Sequence, residues 1–101
     1  MIKYVSEFIG TFVFLSIILN AVSKNANNSM THFAPLAIGL GLVAMIEFGG
    51  GVSGGHYNPA VSLMFMLNGG LPSGDIVPYV SAQLLGAVAA YYYFNLANRK
   101  Q

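Results

Sequence analysis

Ser53-Gly54-Gly55-His56-Tyr57-Asn58-Pro59-Ala60-Val61 starts a helix in the middle of an apolar chain of 101 residues. Asn58 is a favoured N-cap, and Pro59 has its φ preset for the first helical position. From Asn58 to Leu67 there are about ten helix-compatible residues, near 15 Å at 1.5 Å per residue, before Asn68-Gly69-Gly70 ends them. That is half of a bilayer core of about 30 Å, so this segment cannot span. The run occurs once in the chain.

The residues around it look membrane-embedded. With 55% hydrophobic residues, 7% charged residues and a mean hydropathy of +0.64, there is more apolar surface than a soluble domain of this length can hide. Tyr4 to Val22, Ala34 to Gly49 and Ile76 to Leu96 are nearly free of charge. Each is long enough to cross, the second if Phe33 and Gly50 join it. The expected fold class is an all-α membrane protein with three transmembrane helices and one re-entrant half-helix. The expected segments are a helix over 4–22, a helix over 34–50, a re-entrant loop and half-helix over 51–68, and a helix over 74–96. Ala21-Val22-Ser23 after an apolar stretch also fits a signal peptide, but Glu7 sits where such a segment should be basic. Asn27-Asn28-Ser29 fits a glycosylation sequon, for which chance in an Asn-rich loop is the simpler reading.

Several function classes drop out. A net charge of +1 suggests no nucleic-acid partner, and without cysteine there is no disulfide, thiolate metal site or thiol nucleophile. The two histidines, His32 and His56, have no convincing acid partner, and neither an enzyme nor a cofactor or metal site is expected.

A half-helix in lipid is tolerated only where other helices bury it or water reaches it, so a cavity is implied. The N-terminal N–H groups at Asn58 carry partial positive charge, which disfavours cations and protons. Gly54, Gly55, His56 and Tyr57 are expected in extended backbone, the glycines permitting the dihedrals required. Their carbonyls then form an acceptor ladder ending at the Asn58 amide donor, which suits neutral hydrogen-bonding solutes.

The Ser-Gly-Gly-His-Tyr-Asn-Pro-Ala-Val run resembles the signature of the aquaporin and glycerol-facilitator channels, the major intrinsic protein family. Glu7-Phe8-Ile9-Gly10-Thr11 resembles the Glu-x-x-x-Thr start of the family's first helix, and Tyr79 to Ala87 is similar to its third. The resemblance covers nearly the whole chain but only the N-terminal half of the family's fold, whose pores need two such motifs meeting end to end. It implies that Asn58, Pro59 and Ala60 form a mid-pore donor site, Gly54 to Tyr57 the ladder, and Ile38 and Val61 an apolar wall. Glu7 is implied as a buried scaffold residue bonded to the motif loop, with Thr11 and Gln83 also structural. Ala82, Gly86 and Ala90, four apart, read as a close-packing stripe. The family's filter joins a side chain of the second helix to two groups from a second half. Ile38 takes the first position, where water-selective members often carry an aromatic, so the solute is read only as small and neutral.

Glu47, a carboxylate inside an expected span, is a functional suspect. Nine residues from Ile38, at about 100° per residue, put it on the opposite face of the helix. The family's second helix helps line a tetramer centre, so Glu47 is a candidate for an oligomer axis; an ion channel drawing on Glu47 is disfavoured by the half-helix dipole. Lys24, Arg99 and Lys100 oppose Lys3 and the N-terminus across three crossings, so positive-inside charge favours an outside N-terminus, against the family's first half. The leading expectation is a passive channel subunit of the cell membrane, plasma or inner, for water or small neutral solutes. Its pore would form by antiparallel homodimerisation or by pairing with a separate second-half chain. The alternative is a non-conducting interaction subunit or a truncated remnant of a full-length channel.

Overall fold

The computed structural model describes residues 1–23 and 30–99. The loop segment 24–29, with Lys24 and the sequon, and Lys100 lie outside the described residues. Among the described residues four helices follow in order: α1 (Ile2–Val22), α2 (Ala34–Gly49), α3 (Pro59–Leu67) and α4 (Ile76–Ala97). A 3-10 turn precedes α2 at Met30–Phe33 and another precedes α4 at Ser73–Asp75. α1 begins two residues earlier than expected; α4 begins two later, because residues 74 and 75 belong to the second turn.

By length and composition α1 is the one helix among the described residues apolar enough to cross a membrane alone. α2 is apolar but has 16 residues, about 24 Å. α4 has 22, and Ser81, Gln83, Asn95 and its tyrosines dilute its hydropathy.

Asn58 caps α3 as expected: its Oδ1 accepts from the Ala60 N–H at 2.8 Å. Pro59 then opens nine helical residues, about 13.5 Å. At the far end Gly69, with φ +86°, turns the chain so that the Gly70 and Leu71 N–H groups bond the Phe65 carbonyl at 2.7 and 3.2 Å. This closing geometry is of the kind glycine permits after a helix.

α1 lies between α2 and α4, and α3 packs on α4. Small residues set the closest approach. A Cβ on Gly86 would stand 2.8 Å from the Phe8 carbonyl oxygen and 3.1 Å from the Phe12 nitrogen, so α1 and α4 meet backbone to backbone. Ala82 and Ala90, one turn to either side, are buried. Gly41 similarly receives Ile17 from α1. At one end of the bundle, Lys3 Nζ and Tyr4 Oη donate to Asp75 at 2.6 and 2.7 Å.

The burial pattern is inverted relative to a water-soluble domain. The largest wholly buried side chains are Gln83, Glu7, Thr11 and Ser62, all polar, while Leu36, Leu40, Phe48, Leu84 and Leu85 face outward. Polar groups join small and aromatic residues between the helices, and large aliphatic groups form much of the surface.

Candidate functional site: a re-entrant loop held by Glu7

Glu7 on α1 organises the loop. Its side chain has no exposed surface. Oε1 accepts from the Tyr57 N–H at 2.8 Å and Gln83 Nε2 at 3.0 Å; Oε2 accepts from the His56 N–H at 3.0 Å and Ser53 Oγ at 2.7 Å. One carboxylate therefore ties the loop, through two consecutive backbone donors, to α1 and α4 together.

The backbone explains how two successive N–H groups reach one carboxylate. The expected extended run over Gly54 to Tyr57 is corrected: φ is +95° at Gly54, +65° at Gly55 and +56° at Tyr57. Turns of this kind gather consecutive N–H groups into a concave anion nest, which a purely extended chain, with alternating N–H directions, does not do. Glycine takes the first two positions freely. Tyr57 does not, at on the order of 1–2 kcal/mol, and its contacts offset that strain. Its ring fills the space left by the missing side chains of Gly10 and Gly49, and its hydroxyl donates to the Met45 carbonyl at 2.6 Å.

His56 turns its ring into the bundle. Nδ1 lies 2.8 Å from Ser62 Oγ, which also accepts from Gln83 Nε2 at 2.9 Å. Ser62 Oγ thus joins the His56 imidazole on the loop to Gln83 on α4. The imidazole stacks on Phe65, with centroids 4.9 Å apart. Tyr79 Oη donates to the Ser53 carbonyl at 2.6 Å. Outside this network, the Asp75 carboxyl is held below its usual range by the hydrogen bonds from Lys3 and then Tyr4.

Within the loop Gly54 and Asn58 are exposed, while Gly55, His56 and Tyr57 are buried. Among the described residues, no donor takes the carbonyls of Gly54, Gly55, His56 or Tyr57, and the exposed Asn58 uses its oxygen for the cap, leaving its NH2 unpaired. The loop thus turns two N–H groups inward to Glu7 and carries an unpaired amide at the N-terminus of α3.

The family model described as major intrinsic protein matches residues 1–100. The chain belongs to the major intrinsic protein family. It is 44% identical over 93 residues to aquaporin Z of Brucella melitensis, a match covering 87% of this chain and 40% of that protein. It is 37% identical over 92 residues to the glycerol uptake facilitator protein-like 6 of Lactiplantibacillus plantarum, covering 89% and 41%. Against rat aquaporin-8 it is 40% identical over 84 residues, covering 83% and 32%. The chain thus spans about two fifths or less of the curated relatives it matches. No solved structure matches it significantly.

In this chain of the family, the site brings together Glu7, Gln83 and the loop through Tyr57. Thr11 is buried one turn along α1 from Glu7, its Oγ1 without a partner. Ala60 is exposed and Val61 half-buried on α3. Ile38 is half-buried and Glu47 exposed on α2, and neither joins the network around Glu7. Ser53, Ser62, Tyr79, Gly10 and Gly49 are site residues that sequence reasoning did not single out. Ser53 and Ser62 flank the motif closely enough to have been suspected; the pairing of Gly10 and Gly49 with Tyr57 leaves no local signal.

Proposed function

We propose that the chain is a channel-forming unit of the membrane, providing a passive path for water or small neutral solutes along the Gly54–Asn58 loop. The inverted burial supports the lipid setting, since apolar side chains face a solvent that is itself apolar. In this reading α1, α2 and α4 cross the bilayer and α3 enters half-way, with its N-terminal dipole repelling cations. Ile38 and Val61 supply an apolar wall. The observation that carries the proposal is the loop geometry: N–H groups locked onto Glu7, with the carbonyls of residues 54–57 and the Asn58 amide free.

The unit completes its pore with a second, similar one, either another copy in the opposite orientation or a separate second-half chain. The half-helix is about half a bilayer core long, so the other half of the path falls to the second unit. Names of relatives that include both an aquaporin and a glycerol uptake facilitator keep the solute class at small and neutral. No turnover chemistry enters this reading.

The test is osmotic shrinkage of liposomes holding the purified chain, followed by stopped-flow light scattering, with Asn58→Asp as comparison. Fast shrinkage that the mutant slows supports a pore made by the chain pairing with itself. Shrinkage no faster than protein-free vesicles defeats self-pairing, and coexpression with a second-half chain then tests the other arrangement.

A further inference from the structure

The six tyrosines divide into two groups. Tyr4, Tyr57 and Tyr79 each spend the hydroxyl inside the chain, on Asp75, Met45 and Ser53 respectively. Tyr91, Tyr92 and Tyr93, near the C-terminal end of α4, are 53%, 60% and 53% exposed, and among the described residues their hydroxyls have no partner. Their ring contacts are edge-on, Tyr91 with Tyr92 at 5.2 Å and Tyr93 with Phe12 at 5.7 Å.

Three consecutive helical residues point about 100° apart and so cover about 200° of the helix circumference. One partner helix can cover only part of that arc. A layer surrounding the helix can meet all three rings at once.

The depth also fits. Ile76 to Ala90 rise about 22 Å from the Asp75 end of the bundle to the tyrosines, leaving the rings near the far boundary of a core of about 30 Å. Exposed Arg99 follows, about 10 Å beyond Tyr92 at the helical rise. The amphipathic rings therefore stand where a bilayer turns from acyl chain to ester and phosphate, with a cation above them.

We propose that Tyr91, Tyr92 and Tyr93 form an interfacial collar whose hydroxyls bond phospholipid ester and phosphate oxygens, with Arg99 at phosphate level, fixing the depth of α4. The collar rests on the membrane reading above, and one control separates the two. Because the chain has no tryptophan, Y91W, Y92W, Y93W and L85W each give a single reporter; Leu85 is 61% exposed near mid-helix. The four variants are reconstituted in phosphatidylcholine–phosphatidylglycerol vesicles whose acyl chains are brominated either near the carbonyl or near the tail end. The expected result is that all three collar variants are quenched about twofold more by shallow than by deep bromine, and L85W the reverse. If L85W is deep and any collar variant is unquenched, a protein partner covers that position and the collar is refuted. Collar residues quenched best by deep bromine refute it also. If none of the four variants is quenched by either lipid, the membrane reading fails and the collar with it.

Discussion

Replacing Glu7 by glutamine preserves the side-chain volume and exchanges one acceptor oxygen for an NH2 that only donates. In the better orientation the remaining oxygen keeps the bonds from Tyr57 N–H and Gln83 Nε2. The NH2 then faces Ser53 Oγ and the His56 N–H, which Oε2 held at 2.7 and 3.0 Å. The Ser53 hydroxyl can rotate to accept, but the His56 N–H cannot, and becomes an orphaned buried donor costing about 1–3 kcal/mol. The surviving bonds also lose charge assistance, while the smaller desolvation of an amide works the other way. The net expectation is a loss of about 1–3 kcal/mol, or a fall in Tm on the order of 10 °C for a domain of this size. Glu7→Ala orphans both backbone donors and leaves a cavity, so it should cost about 3–5 kcal/mol. Thermal unfolding in a mild detergent, followed by near-ultraviolet circular dichroism of the tyrosines, reads both variants on one scale. A Glu7→Gln chain melting within about 2 °C of the parent, with Glu7→Ala little worse, would refute the claim that this carboxylate organises the loop.

Three further expectations concern other parts of the fold. Gly10→Ala and Gly49→Ala drive a Cβ into the Tyr57 ring and hydroxyl and should each lower stability by about 1–3 kcal/mol, whereas Gly39→Ala meets nothing and should be neutral or stabilising by about 1 kcal/mol; equal melting temperatures for all three would contradict this. Since the folded Asp75 carboxyl titrates below its unfolded value, its contribution is complete above the ordinary carboxylate range and lost as pH falls through the folded pKa. The stability gap between the parent and Asp75→Asn should therefore hold steady at neutral pH and close in acid; a gap unchanged in strong acid would mean that the Lys3 and Tyr4 bonds contribute nothing through ionisation. Exposed Glu47 is proposed at an oligomer axis, so Glu47→Gln should change the stability of the oligomer in detergent, and an unchanged oligomer removes the support for that position.

The short range of the chemistry decides what could be read in the sequence. The α3 cap was legible because Asn58 and Pro59 act on the residues that follow them: the cap bond spans two positions. The close approach of α1 and α4 was legible too, as the spacing of Ala82, Gly86 and Ala90 marks a smooth face whatever lies against it. The Glu7 anchor was reached through the family resemblance rather than through spacing, because its bonds to residues 46 to 76 positions away leave no periodic trace. The backbone of the loop was misjudged for a related reason. Two adjacent glycines permit extended and left-handed dihedrals alike, and the choice between them depends on an anion about fifty residues earlier in the chain.

That dependence also links scaffold to function. In a planar trans peptide the N–H of one residue points opposite to the C=O of the residue before it, so fixing the direction of one fixes the other. By drawing the His56 and Tyr57 donors to one point inside the bundle, Glu7 turns the carbonyls of Gly55 and His56 away from that point. Gly10 and Gly49 let the Tyr57 ring enter, and the Met45 carbonyl fixes its hydroxyl, so Tyr57 stays in its strained conformation. A substitution at Gly10, which touches the loop through the Tyr57 ring, should therefore act on flux as well as on folding, by freeing Tyr57 to leave the left-handed region and scattering the carbonyls before Asn58. A Gly10→Ala chain that stays folded but passes water at the parental rate would break this link between the buried network and the loop carbonyls.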